Sequence, residues 1–251
     1  MAKLQEAQVI ELFHLAFLEV LQTRLDQARY VLKGGANLRY FFDSVRYSED
    51  IDLDMAGVEP WQLNEKVNDL LGSPAMSIIL RSSGLTVNEF TNPKHTETTQ
   101  RWKVAIEAQR HTEPIRTRIE FSNRNGEQRY ELDPVPSRIV EPYALRSPTV
   151  QHYTADAASE QKVKALAGRS ETQARDVFDL ELLLRRQPLA PGSLHPQVLK
   201  DAADRALELP YAAFRDQVLP FLDPEVADLY GTETSWEQMQ TLVAEKLEEA
   251  R

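Results

Sequence analysis

Asp50, Asp52 and Asp54 occupy every second position of a short run, DIDLD, that has the composition of a β-strand. Side chains two apart on a strand point the same way, so the three carboxylates are expected on one face while Ile51, Leu53 and Met55 take the other. Close carboxylates repel, and without a cation among them they are driven toward protonation. A hard divalent ion with oxygen ligands, magnesium bridging to substrate phosphates above all, relieves that repulsion. Upstream, Gly34 and Gly35 end the apolar run Tyr30-Val31-Leu32. Residues without Cβ let backbone approach a phosphate, and a helix starting there aims its unpaired amides at anions. A phosphate cradle beside metal-binding carboxylates points to nucleotide chemistry. The bland reading is a turn at the glycines followed by an acidic, solvated edge strand.

The elements that hold these groups follow from periodicity. Val9, Leu12, Phe13, Ala16, Val20 and Leu21 recur at the spacing of a core-facing helix over 4–27, and His14 on it carries no assigned role. A strand over 30–33 and a helix over 36–42 flank the glycines, and a helix over 61–71 is closed by Gly72-Ser73-Pro74. Alternation over 100–110 and 115–121 predicts two strands. Asn125-Gly126 has the chemistry of a tight turn and predicts that 129–132 returns as a hairpin partner of the strand before it. Pro134, Pro136, Pro142 and Pro148 mark a boundary, so the division expected is 1–148 and 149–251, the second part helical. Within it, 160–184 reads as two helices, and further helices are expected near 194–207, 211–222 and 235–248.

The phrase LKGGANLR followed by RYSEDIDLD resembles motif one of the nucleotidyltransferase superfamily related to DNA polymerase β. Its wording is similar to the AbiEii/AbiGii toxin branch, which includes the mycobacterial MenT toxins. A second phrase, Lys162, an Ala-Leu pair, Arg169, then Arg175-Asp176 with Asp179 and a leucine, matches that family's later motif in the right order. The resemblance implies an α+β fold: a small mixed sheet with flanking helices, and a helical C-terminal region closing over it. It also implies transfer of a nucleoside monophosphate from a nucleoside triphosphate to a hydroxyl. Asp50, Asp52 and Glu120 would hold magnesium, with manganese as a substitute, and Gly34, Gly35, Arg46, Ser48 and Lys162 would bind the nucleotide. Asp176 is counted among the functional residues through its pairing with Lys162 or Arg169. Alternatives stay open for several of these: a local salt bridge for Arg46, a cross-strand arginine pair for Glu120, and surface ion pairs for the two helices.

Toxins that this chain resembles modify the 3′ end of transfer RNA or bind a nucleotide tightly, and are commonly encoded beside an antitoxin, so the resemblance implies RNA and an antitoxin as partners. Composition pulls against the RNA: a formal net charge of −10 in 251 residues is unlike a general nucleic-acid binder. A local groove of Lys94, Arg101, Lys103, Arg116, Arg118 and Arg124 could still follow a phosphate backbone. Two rivals keep the fold: a transferase acting on a small hydroxyl compound such as an antibiotic, and a non-catalytic nucleotide- or protein-binding regulator. With 42% hydrophobic and 27% charged residues the chain is an ordinary globular one. No cysteine is present, so disulfide frameworks and thiolate metal sites are excluded. No stretch suits a bilayer and the first residues lack a signal-peptide pattern, so a cytoplasmic protein is expected. The five histidines show no ligand spacing, and no zinc site is expected.

Overall fold

Helix α1 (Glu6–Leu21) is buried on nearly every side, including Glu11 and His14, and not only along the stripe its periodicity marks. A helix wrapped all round by protein is a core element; α1 packs on α3 (Pro60–Leu71), α4 (Pro74–Ser82) and the sheet. The computed structural model describes residues 4–123 and 129–251. The chain divides into two compact units, one of residues 1–41 and 47–153, the other of 42–46 and 154–251. The first keeps the strand at 149–153, which the expected division at 148 assigned to the helical part.

The first unit is built on a seven-stranded mixed sheet. Its strands are β1 (Tyr30–Lys33), β2 (Asp50–Met55), β3 (Leu85–His95), β4 (Thr99–Ala108), β5 (Ile115–Asn123), β6 (Tyr130–Pro134) and β7 (Thr149–Tyr153). They lie in the order β3-β4-β5-β2-β1-β7-β6. β2 runs parallel to β5 and β1 parallel to β7, while the other pairs are antiparallel. Helix α2 (Gly34–Phe41) packs on β1 and β2, and α5 (Ser137–Val140) follows β6. Val, Ile and aromatic side chains of β2, β4 and β5 meet α1 in the core: Phe17 and Trp102 both set their rings edge-on to Phe121, at 6.5 and 5.9 Å. Burying each such ring contributes about 1.5–3 kcal/mol.

Two expectations are corrected here. The return strand after Asn125-Gly126 does not pair with β5: β6 pairs with β7 at the far edge, Glu131 opposite His152. The turn itself, with Arg124, lies outside the described residues. Gly72-Ser73-Pro74 is not only the end of α3; it also starts α4, where the Ser73 hydroxyl accepts from the Met76 amide and Pro74 fills the first helical position.

The second unit holds α6 (Ala155–Gly168), α7 (Ala174–Arg186), α8 (Pro196–Glu208), α9 (Tyr211–Gln217), α10 (Pro224–Tyr230) and α11 (Glu233–Glu249). They enclose a separate core of Leu166, Val177, Leu180 and Val243, in which Phe214 stacks on Trp236 at 4.8 Å. No helix among the described residues is long and apolar enough to cross a membrane.

Candidate active site

Strand β2 presents its carboxylates between β1 and β5, and each of the three meets a different environment. Asp52 lies in register with Glu120 of β5 on one side and with Lys33 of β1 on the other. Asp50 is gripped by Arg118, whose Nε donates to Oδ1 at 2.9 Å and whose terminal nitrogen reaches Oδ2. That carboxylate holds the Arg118 guanidinium well above its ordinary pKa. Glu120 is held by Arg101 of β4, Nε to Oε2 at 2.7 Å. Asp54, buried, takes the Lys33 ammonium and the Tyr153 hydroxyl, the latter at 2.9 Å, so it is a structural member of the row. Alternation was enough to find the row; the separate fates of its members depend on strands far away in sequence.

The glycine pair sits against this row. Gly34 takes φ +68° at the junction of β1 and α2, a backbone conformation that costs a side chain dearly. A Cβ there would lie 2.8 Å from Asp52 Oδ2. The backbone at Gly34 and the Asp52 carboxylate are therefore packed as one surface, and Gly35 follows in the first turn of α2. Helix α2 is pinned from behind by Arg39, which donates to buried Glu11 of α1 at 2.7 Å while Tyr143 donates to the other oxygen at 2.7 Å. Ser48 donates to the Asp50 carbonyl at 2.7 Å and fixes the entry into β2. A relay unforeseen in the sequence does the same from the core. Thr117 of β5 donates to the Glu49 carbonyl at 2.8 Å and, its proton so used, accepts from His14 Nε2 at 2.8 Å. Burial pushes His14 down to about pKa 3, so it acts there as a neutral donor.

Lys162, Asp176, Asp179 and Arg46 gather in the second unit. Lys162 donates to Asp176 Oδ1 at 3.0 Å and to Asp179 Oδ2 at 2.6 Å. Arg169 lies 3.1 Å from Asp176 Oδ2. Arg46 clasps Asp179 through Nε at 3.2 Å and its terminal nitrogen at 3.0 and 2.9 Å. Both aspartates are 0% exposed. Burial alone would lower Lys162 and raise Asp179; the opposite charges outweigh it, so Lys162 stands above its ordinary pKa and Asp179 below its own. The sequence leaves Arg46 either a triphosphate ligand or the partner of a neighbouring Asp. Its partner here is an aspartate 133 residues away, and the pair ties residues 42–46 to α7.

Asp50, Asp52 and Glu120, on adjacent strands, are oxygen donors of the kind a hard divalent ion takes, but among the described residues their oxygens are not gathered within ligand distance of one another as they stand. Asp50 and Glu120 spend oxygens on Arg118 and Arg101, so an ion there requires those guanidiniums to swing away. Both arginine side chains are partly exposed, 39% and 33%, and have the room to do so. Beside Asp50 lies a cavity of about 340 Å³ lined by Glu49, Phe90, Lys103, Arg116 and Arg118. Of the foreseen basic groove, Lys103 and Arg116 face this cavity, while Arg101 and Arg118 are engaged by acids.

Comparison with known proteins gives the family and the fold. The family model described as nucleotidyl transferase AbiEii toxin, type IV TA system, matches residues 16–248. No curated protein sequence matches the chain. The crystal structure of JHP933 from Helicobacter pylori is similar over 99% of this chain and 96% of its own, with TM-score 0.61 and 20% identity. A second H. pylori structure, of a protein provisionally named a nucleotidyltransferase, is similar over 95% of each chain, with TM-score 0.57 and 20% identity. At that identity the two structures speak for the fold, and the α+β architecture read from the sequence is the one they share.

Proposed function

Because the chain belongs to the AbiEii nucleotidyl transferase toxin family, we propose that it moves a nucleoside monophosphate from a nucleoside triphosphate to an acceptor hydroxyl, releasing pyrophosphate. The observation that carries this reading is the register of Asp52 with Glu120 beside the left-handed backbone of Gly34. Asp50, Asp52 and Glu120 would hold magnesium or manganese, which when bound neutralises phosphate charge and aligns the attacking oxygen. The amides at Gly34 and Gly35 donate to phosphate oxygens at the start of α2. Arg118 and Arg101, leaving Asp50 and Glu120, carry their charge to the phosphates. The acceptor oxygen attacks the α-phosphorus, the bond from phosphorus to the pyrophosphate oxygen breaks, and Glu120 takes the hydroxyl proton. Ser48 and Arg46 order the segment that enters β2. Lys162 and Asp176 belong to the proposal as the family's second motif, the lysine kept charged by its two aspartates.

For the acceptor we propose an RNA end, the transfer RNA 3′ hydroxyl, and for the partner a neutralising antitoxin. Lys103, Arg116 and Phe90 around the cavity beside Asp50 support an acceptor that is anionic and carries a ring to stack. The net charge of −10, and the engagement of Arg101 and Arg118 by acids, favour a second reading in which the acceptor is a small hydroxyl compound. Incubating the chain with each labelled triphosphate and magnesium, with and without total cellular RNA, separates the two. Asp52→Asn should keep the fold and lower transfer by about a hundredfold or more, as expected for loss of a metal carboxylate. Undiminished transfer by that variant would overturn the site.

A further inference from the structure

Glu131, Asp133 and His152 lie away from the row on central strand β2, on the strand pair β7–β6 at one edge of the sheet. Glu131 and Asp133 are two apart on β6 and so share a face, and Glu131 is directly opposite His152 on β7. One ligand atom from each of the three lies within 4.8 Å of the other two. We propose that these three side chains form a second divalent-cation site, of the zinc type, that clips edge strand β6 to β7.

The geometry of His152 carries the inference. Its Nδ1 is 3.3 Å from the Tyr153 carbonyl oxygen and its Nε2 is 3.3 Å from Asp133 Oδ2. A neutral imidazole has one N–H, so with oxygens at both nitrogens one lone pair faces another. A cation at Nε2 resolves the conflict: Nδ1–H donates to the carbonyl, the arrangement that orients most metal-binding histidines. Nε2 and Oδ2 are 3.3 Å apart. That matches the separation of about 3.3 Å between two ligands of a tetrahedral ion with bonds of about 2.0–2.1 Å. The ring cannot easily turn away, because it stacks face to face on Phe41 at 3.6 Å. One imidazole and two carboxylates neutralise a divalent charge and suit zinc, whereas magnesium prefers oxygen throughout. A purpose is visible as well: all five residues of β6 are exposed, so burial does little to hold this edge strand down.

The test uses the tag-free full chain, stripped with chelator and titrated with zinc chloride. Calorimetry follows affinity, and long-range proton–nitrogen spectra of the histidine rings follow the site. One equivalent of zinc should shift His152 Nε2 while Nδ1 stays protonated. Glu131→Gln combined with Asp133→Asn, both on the exposed strand, should weaken that equivalent at least about tenfold. Asp50→Asn with Asp52→Asn should leave it in place. Zinc that leaves the His152 ring unmoved, or that binds E131Q/D133N as tightly as the parent, would overturn the proposal, and neither result bears on the β2 carboxylates.

Discussion

Gly34 joins backbone geometry to chemistry in one position. Its φ of +68° already disfavours any side chain, and a Cβ would press to 2.8 Å from an Asp52 oxygen. Gly34→Ala therefore meets two costs. The left-handed conformation should cost on the order of 1 kcal/mol, toward the low end of strained positions. The steric push must also be relieved by moving the carboxylate or the start of α2. We expect a folded variant, slightly less stable in urea, whose nucleotidyl transfer falls at least about tenfold, because a displacement near 1 Å at a reacting centre is enough for such a loss. Full activity with the stability loss alone would mean that the position of Asp52 is not critical. The glycine pair and the alternating aspartates were legible because both rest on local rules, the missing Cβ and the two-residue period. Arg118 on Asp50 and Arg46 on Asp179 were not, since charge pairs between distant segments leave no local signal, whereas an arginine across the strands from Glu120, here Arg101, was one of the readings the strand pattern left open.

Among the elements, β2 carries the site, and its entry is fixed from the core by the line His14, Thr117, Glu49 carbonyl. Thr117→Val keeps the shape of the side chain and removes both bonds, leaving a buried N–H on His14 without its acceptor and the Glu49 carbonyl without this donor. Each orphaned group should cost about 1–3 kcal/mol, so a clear drop in thermal midpoint is expected. Reduced transfer in the surviving folded fraction should follow from the loosened strand entry. A midpoint equal to the parent's would show that water replaces the relay. The helices and the strands with clean periodicity were readable in this way, α3, β4 and β5 falling within a residue or two of where alternation placed them. The missed features have physical reasons. Ser73-Pro74 both closes α3 and caps α4, and only the first role was read. Turn chemistry at Asn125-Gly126 makes the preceding strand the expected partner of β6, whereas the sheet interleaves β1 and β2 between distant strands, a choice made by tertiary packing.

For the molecule as a whole, the two units carry titratable groups that fail in different pH windows. In the first unit His14 is native as the neutral ring, with pKa near 3 against about 6.5 in an unfolded chain. The unfolded state then binds more protons between those values, so stability is complete above about pH 6.5 and falls as pH drops toward 3. Its slope approaches about 1.4 kcal/mol per pH unit, a few kcal/mol in total. In the second unit Asp179 is held below its ordinary pKa, so its contribution is present above the unfolded value and is lost only as pH falls through the lowered one. Lys162, raised, contributes at all pH values below its unfolded pKa and loses that contribution only in strong alkali. On acidification the first unit should therefore weaken before the second. Trp102 is buried in the first core and Trp236 in the second, so variants retaining one or the other as the buried reporter can follow the two in urea. The Trp102 midpoint should begin to fall near pH 6.5 and the Trp236 midpoint only below about pH 4. His14→Gln retains an N–H for Thr117 but cannot titrate; it should flatten the Trp102 profile between pH 6.5 and 4 and leave the Trp236 profile unchanged. Parallel profiles for the two reporters, unaltered by H14Q, would show that a group outside this relay governs the acid limb.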